Sequence, residues 1–98
     1  MIIAKLHKAG SEAILAACDP DLSGKVLEDG DIRLDMGSSF FGRDEVTEDE
    51  FRGMLAVATS ANIVGERAVK IAIDMKCVHP DAVARISGIP YAMFFCMG

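Results

Sequence analysis

No apolar run in this sequence approaches the length of a membrane span, and charge interrupts Met1-Ile2-Ile3-Ala4-Lys5-Leu6-His7-Lys8 too early for the core of a signal peptide. Membrane insertion is therefore excluded as an expectation, and a mature cytoplasmic chain is what the N-terminus suggests. Paired cysteines are also missing. Cys18, Cys77 and Cys96 are odd in number and widely spaced, which fits neither a disulfide framework nor a structural zinc site and leaves three buried thiols as the expectation. Positive charge is in deficit, with 10 Lys and Arg against 15 Asp and Glu for a net charge of -5, so nonspecific attraction to polyanions is disfavoured unless a basic patch is gathered locally.

Catalytic and nucleotide motifs are equally scarce. No serine stands in a Gly-x-Ser-x-Gly elbow, and neither glycine pattern of dinucleotide or phosphate loops occurs. The two histidines, His7 and His79, have no Cys or carboxylate partner at a ligand interval, so no metal site and no cofactor are expected. Asp19-Pro20-Asp21-Leu22-Ser23-Gly24 begins like a calcium loop, but its twelfth position is Gly30 where a bidentate Glu is needed, which leaves an acidic turn.

What is present is enough apolar material for one core. The chain has 98 residues, 51% of them hydrophobic, and nothing that reads as a linker, a repeat or a low-complexity tract, so one domain over residues 1–98 is expected. Ile2 to Lys8 alternates, with Ile2, Ala4 and Leu6 on one face of a strand and Lys5 and His7 on the other. Glu12 to Cys18 is nearly all apolar after the glutamate, the pattern of a strand covered on both faces. Asp29-Gly30 predicts a hairpin that sends Ile32, Leu34 and Met36 to the core.

The period then changes. Thr47 and Glu50 form a capping box worth about 1 kcal/mol, with Val46 placed to staple against Phe51, so a helix should begin at Thr47 and bury Phe51, Met54, Leu55 and Ala58. The cap residues of Thr59-Ser60-Ala61-Asn62 suggest that this helix ends there and a second begins within a residue or two. Val64, Ala68, Ile71, Ala72 and Met75 would face the core, with Glu66, Lys70 and Asp74 on a solvated row. His79-Pro80-Asp81 should stop the second helix, and Val83 to Ile86 with Ile89 to Cys96 should form a closing hairpin, with Pro90 held to an edge or strand start. These elements give an α+β fold, an antiparallel or mixed sheet of hairpins with two helices packed on one face as a two-layer sandwich.

Folding accounts least well for Ser60 to Lys70. Gly65 costs about 1 kcal/mol in a helix interior, which points to close backbone approach by a ligand or by another element. A helix start bearing Ser60 and Asn62, with Arg67 and Lys70 one and two turns on, has the composition of an anion or phosphate site. Ser60, Asn62, Gly65, Glu66, Arg67, Lys70, His79 and Asp81 are therefore the candidate binding residues, with no catalytic residue among them.

Several segments together resemble an archaeal family, the one catalogued as domain of unknown function 424. They are Cys18-Asp19 leading to Leu22-Ser23-Gly24-Lys25, Phe40-Phe41-Gly42, Thr59 to Val69, His79-Pro80-Asp81-Ala82-Val83, and Gly88-Ile89-Pro90-Tyr91-Ala92. The resemblance covers nearly the whole chain, with Thr59 to Val69 its most specific part. It implies a small α+β fold, an archaeal cytoplasmic setting and a connection with RNA or translation, and it carries no catalytic residues over.

Three functional readings follow. The first is a noncatalytic binding or accessory module that presents Ser60 to Lys70 to an RNA or protein partner. The second is a small enzyme using Glu66 or Asp81 as acid or base, with His79 and Arg67 nearby. The third is a homo-oligomer that associates through Phe40, Phe41, Tyr91 and Phe94.

Overall fold

A computed structural model describes residues 1–95, so Cys96, read above as a buried thiol and the end of the closing strand, lies outside the described residues. The fold is α+β. The N-terminal alternation produces a long hairpin of β1 (Ile2–Ala9) and β2 (Glu12–Cys18), and the Asp-Gly turn produces a second, of β3 (Val26–Asp29) and β4 (Ile32–Asp35). A two-residue strand β5 (Glu45–Val46) precedes helix α1 (Glu48–Val57). Next come β6 (Ser60–Val64), helix α2 (Glu66–Asp74) and the closing hairpin of β7 (Ala84–Ile86) and β8 (Ile89–Phe95).

Among the described residues six strands form one mixed sheet in the order β5-β1-β2-β6-β8-β7, while β3 and β4 pair only with each other. The apolar strand β2 lies inside the sheet, as its composition suggested, with β1 antiparallel on one side and β6 parallel on the other. Side chains of alternate residues then sort to two faces. Ile2, Leu15, Ala17, Ala61, Ile63 and Ala92 pack under both helices with Phe51, Leu55, Ala68 and Ala72. Ile3, Ala16, Cys18 and Val64 pack on the opposite face beneath Leu22, Met36 and Phe41, so the β3–β4 hairpin and the loop after it cover part of what a two-layer sandwich would leave open.

Helix α1 starts as its capping box requires. The Glu50 N–H donates to Thr47 Oγ1 at 3.0 Å, and the Thr47 N–H donates back to Glu50 Oε1 at 3.0 Å. Those bonds favour the ionised Glu50 carboxylate and lower its pKa from the ordinary glutamate value.

Four local expectations are corrected. Ser60 to Val64 is a strand and not the start of a helix, because β2 and β8 bury it from both sides and set its alternation. The polar residues that looked like caps have partners across the sheet. Thr59 Oγ1 accepts from the Ala13 N–H at 2.9 Å, and Asn62 Oδ1 accepts from the Tyr91 hydroxyl at 3.2 Å. Val64 accordingly packs with the second cluster and not on a helix face. Helix α2 ends at Asp74, ahead of His79, because Lys76 takes a left-handed conformation at φ 63° that the helix cannot continue through. At the other hairpin, Ile32 is 53% exposed while Met36 is buried, because the tip of β3–β4 projects past the core that the base of the hairpin covers.

Candidate functional site

The parallel strands β2 and β6 both end at one place in the sheet, the kind of position where mixed α/β sheets leave a crevice. Asp19 follows β2 there, and Gly65 follows β6. The ladder continues one step, since the Asp19 N–H donates to the Val64 carbonyl at 3.1 Å. This points the Asp19 side chain at the first turn of α2. Its Oδ2 accepts the Arg67 N–H at 3.0 Å and its Oδ1 accepts the Ala68 N–H at 2.8 Å. These are the second and third N–H groups of the helix, the ones an adjacent cap residue would ordinarily satisfy. Asp19 caps α2 from elsewhere in the chain, and it is 8% exposed, the only buried charged residue among those described.

Gly65 is thereby explained. It stands before the helix as its N-cap, at φ 112° and ψ 155°, a backbone region that is essentially restricted to glycine. A Cβ at this position would lie 2.5 Å from Asp19 Cγ and under 3 Å from both carboxylate oxygens. The glycine admits the carboxylate to the helix start, so the close approach inferred from sequence is made by a side chain of the same protein. The cost of a helix-interior glycine does not arise.

The capped turn forms one end of an open groove of about 1000 Å³ that runs between α2 and the segment leading into β7. Val69, Ile73, Pro80, Val83 and Pro90 supply apolar lining, and the charged lining is Arg67, Lys70 and Arg85 together with the carboxylates of Asp19, Asp21 and Glu66. Arg85 is engaged, donating to the Gly88 carbonyl at 2.9 Å and standing 3.6 Å from the Glu66 carboxylate. That ion pair is exposed and contributes little to stability. Among the described residues, the side chains of Arg67 and Lys70 have no acidic partner within ion-pair distance.

Of the eight residues singled out from sequence, four meet here. Gly65 shapes the helix start, and Glu66, Arg67 and Lys70 line the groove. Ser60 and Asn62 do not join them. Ser60 sits at the far end of β6 from Gly65, and Asn62 projects with Tyr91 to the sheet face opposite the helices. His79 borders an adjoining hollow of about 410 Å³ with Ile73, Lys76, Val78 and Pro80, so Ile73 and Pro80 are shared between the two. Asp81 lines neither; its N–H donates to His79 Nδ1 at 3.1 Å on an exposed turn. Sequence reasoning missed the contributions of Asp19 and Arg85. The costly Gly65 was the signal for Asp19, though nothing in the sequence says which residue approaches it.

The remaining chemistry-bearing side chains lie elsewhere. Cys18 is fully buried, and burial, with the neighbouring charges of Asp19 and Asp21, pushes its thiol pKa up to about 11. No group of three or more His, Cys, Asp or Glu side chains is placed to hold a metal ion among the described residues. No described helix is long and apolar enough to cross a membrane. Phe41 is buried, and Phe40 stacks on His7 with ring centroids 5.0 Å apart. Those two of the four aromatics considered for self-association are thus committed to packing.

The fold has a counterpart among solved structures. The crystal structure of an uncharacterized conserved protein from Methanopyrus kandleri superposes with a TM-score of 0.79, covering 99% of this chain and 94% of that one, at 20% sequence identity. No curated protein matches the chain. The model of the family described as "Protein of unknown function (DUF424)" matches residues 7–97, and the chain belongs to that family.

Proposed function

We propose that the protein is a noncatalytic binding module, one domain over the whole chain, whose groove beside α2 receives an acidic segment of a protein partner. The observation that carries this reading is the pair Arg67 and Lys70, without an ion-pair partner among the described residues, beside an apolar lining in which Glu66 pairs with Arg85 and Asp21 is the other exposed carboxylate. The pair stands at a helix start whose second and third N–H groups Asp19 has already taken. A bare anion would want those N–H groups. With the groups occupied, recognition falls to the two cationic side chains and the apolar surface between them, which suits a peptide combining carboxylates with apolar side chains.

RNA is less well served. Among the described residues no aromatic side chain lines the groove, and single-stranded RNA recognition relies heavily on stacking of bases against aromatic rings. The net charge of -5 adds a repulsion that a polyphosphate meets at every nucleotide. A cytoplasmic setting in RNA metabolism or translation, which the family resemblance suggested, is compatible with a protein partner drawn from that machinery. The enzyme reading has less support, since Glu66 and Arg67 line one groove while His79 borders another and Asp81 borders neither.

The test is a titration of isotopically labelled protein, followed by NMR, with two probes: a short peptide of alternating glutamate and leucine, and a single-stranded RNA oligomer. The peptide should shift the amides of α2 and of the Val83 to Arg85 segment, and Arg67→Ala with Lys70→Ala should weaken it. RNA that shifts those amides with a steep salt dependence, while the peptide does not, would overturn the choice of partner.

A further inference from the structure

The groove has an open strand along one side. Among the described residues β7 is the last strand of the six-stranded sheet and pairs only with β8, through Ala84↔Tyr91, Arg85↔Pro90 and Ile86↔Ile89. In an antiparallel pair, opposed residues alternately bond to each other and point away from each other. The Pro90 carbonyl accepts the Gly65 N–H at 2.9 Å, so Pro90 faces the β6 side. Arg85, directly opposite, must therefore direct its own N–H and C=O away from β8, toward the free edge. Proline at position 90 fits this arrangement, because that side of the pair asks for no N–H toward β7.

Two residues further on, the same edge is closed. The Ser87 N–H donates to Asp29 Oδ2 at 3.2 Å and the Ser87 hydroxyl donates to the Glu28 carbonyl at 2.6 Å, so the β3–β4 tip sits against the edge at that point. β3 also packs against β7, and beyond that contact Arg85 is an exposed residue that lines the groove with Val83. Long exposed edges are normally blocked because they invite pairing with other chains. Here the backbone groups of Arg85 lie between a plug of the protein's own chain and a groove that carries, among the described residues, two cations without an ion-pair partner beside the carboxylates of Asp21 and Glu66.

We infer that this edge is a strand-addition site: the acidic segment proposed above binds in extended form, pairing its backbone with Arg85 while its carboxylates reach Arg67 and Lys70. Main-chain pairing supplies affinity that is independent of sequence, and alternation of side chains along the added strand turns every second one to the groove. The charge of the occupant follows from the two cations, and its extended conformation from the edge. The inference rests on the groove reading and adds to it the conformation of the ligand.

The experiment uses the alternating glutamate–leucine peptide and an analogue methylated on alternate backbone nitrogens, which keeps the side chains and removes strand donors. Peptide binding should slow hydrogen exchange at the Arg85 amide, and methylation in the register that faces β7 should weaken binding about tenfold, the worth of one or two backbone hydrogen bonds. Lys70→Glu and Arg67→Glu should weaken both peptides alike. If the parent peptide binds in a Lys70-dependent way but neither methylation register matters and Arg85 exchange is unchanged, strand addition is wrong and the groove reading stands. If neither peptide binds, both are wrong.

Discussion

Replacing Gly65 with Ala tests the cap on α2 directly. The added Cβ would meet the Asp19 carboxylate at 2.5 Å, so the carboxylate must withdraw from the helix start. Withdrawal breaks the bonds to the Arg67 and Ala68 N–H groups, and hydrogen bonds to a charged group are each worth about 1.5–3 kcal/mol. The alanine must also adopt φ 112°, at a cost of about 1–3 kcal/mol. Partial relaxation will recover some of this, leaving an expected loss of about 3–5 kcal/mol, a large part of the stability of a small protein. At about 4–8 °C per kcal/mol for a chain of this size, Tm should fall by roughly 12–40 °C. Urea unfolding of Gly65→Ala, Asp19→Ala and the double variant separates the two contributions. In the Asp19→Ala background no carboxylate remains to be displaced, so the added cost of the alanine should shrink to the backbone term. A Gly65→Ala penalty below about 1 kcal/mol, or one of equal size in both backgrounds, would refute the cap as described.

Three further outcomes follow from the same structure. Thr47→Ala should cost about 1 kcal/mol at neutral pH. The bond from the Thr47 backbone N–H is the main cause that depresses the folded pKa of Glu50, so the carboxylate's contribution is present above the ordinary glutamate range and is lost as pH falls through the folded value; wild type and Glu50→Ala should converge in stability on acidification, whereas Thr47→Ala keeps that backbone bond and most of its pH dependence. Tyr91 is the single tyrosine, and partial burial raises its pKa; ultraviolet titration should give a midpoint above that of free tyrosine, with stability declining as alkaline pH passes through that transition. With Cys77 and Cys96 replaced by Ser, the native protein should resist thiol reagents at neutral pH until it is unfolded, since Cys18 is buried and its thiolate disfavoured. Rapid labelling of the folded variant would contradict that burial.

The sequence was readable wherever a local signal decides the structure. The Asp-Gly turn, the Thr47 capping box and the alternation of Ile2 to Lys8 each involve residues within a few positions of one another, and each appears in the structure. Ser60 to Val64 was misread for the opposite reason. Its strand pairing is with Ile14 to Cys18 and with Tyr91 to Phe95, and the local cluster of Ser, Thr and Asn imitates a helix start. That one-element error also displaced Gly65 into a helix interior. The candidate site was therefore legible as a location and not as a mechanism: Gly65, Arg67 and Lys70 belong together, while the carboxylate that explains Gly65 lies 46 positions earlier, at Asp19.

The parallel pairing of β2 with β6 has a consequence for how the protein is made. The β1–β2 hairpin can form as soon as its own residues are available, yet β2 obtains its other neighbour only after Ser60 to Val64 has been synthesised. Until then an apolar strand meant for the middle of the sheet has one side open. Contacts this distant in sequence slow folding, because the intervening chain must be closed into a loop before they are rewarded. The nascent N-terminal half is thus the stage most exposed to wrong pairing, and the bonds from Asp19 to Arg67 and Ala68, spanning 48 and 49 positions, can lock the sheet only after that interval has passed.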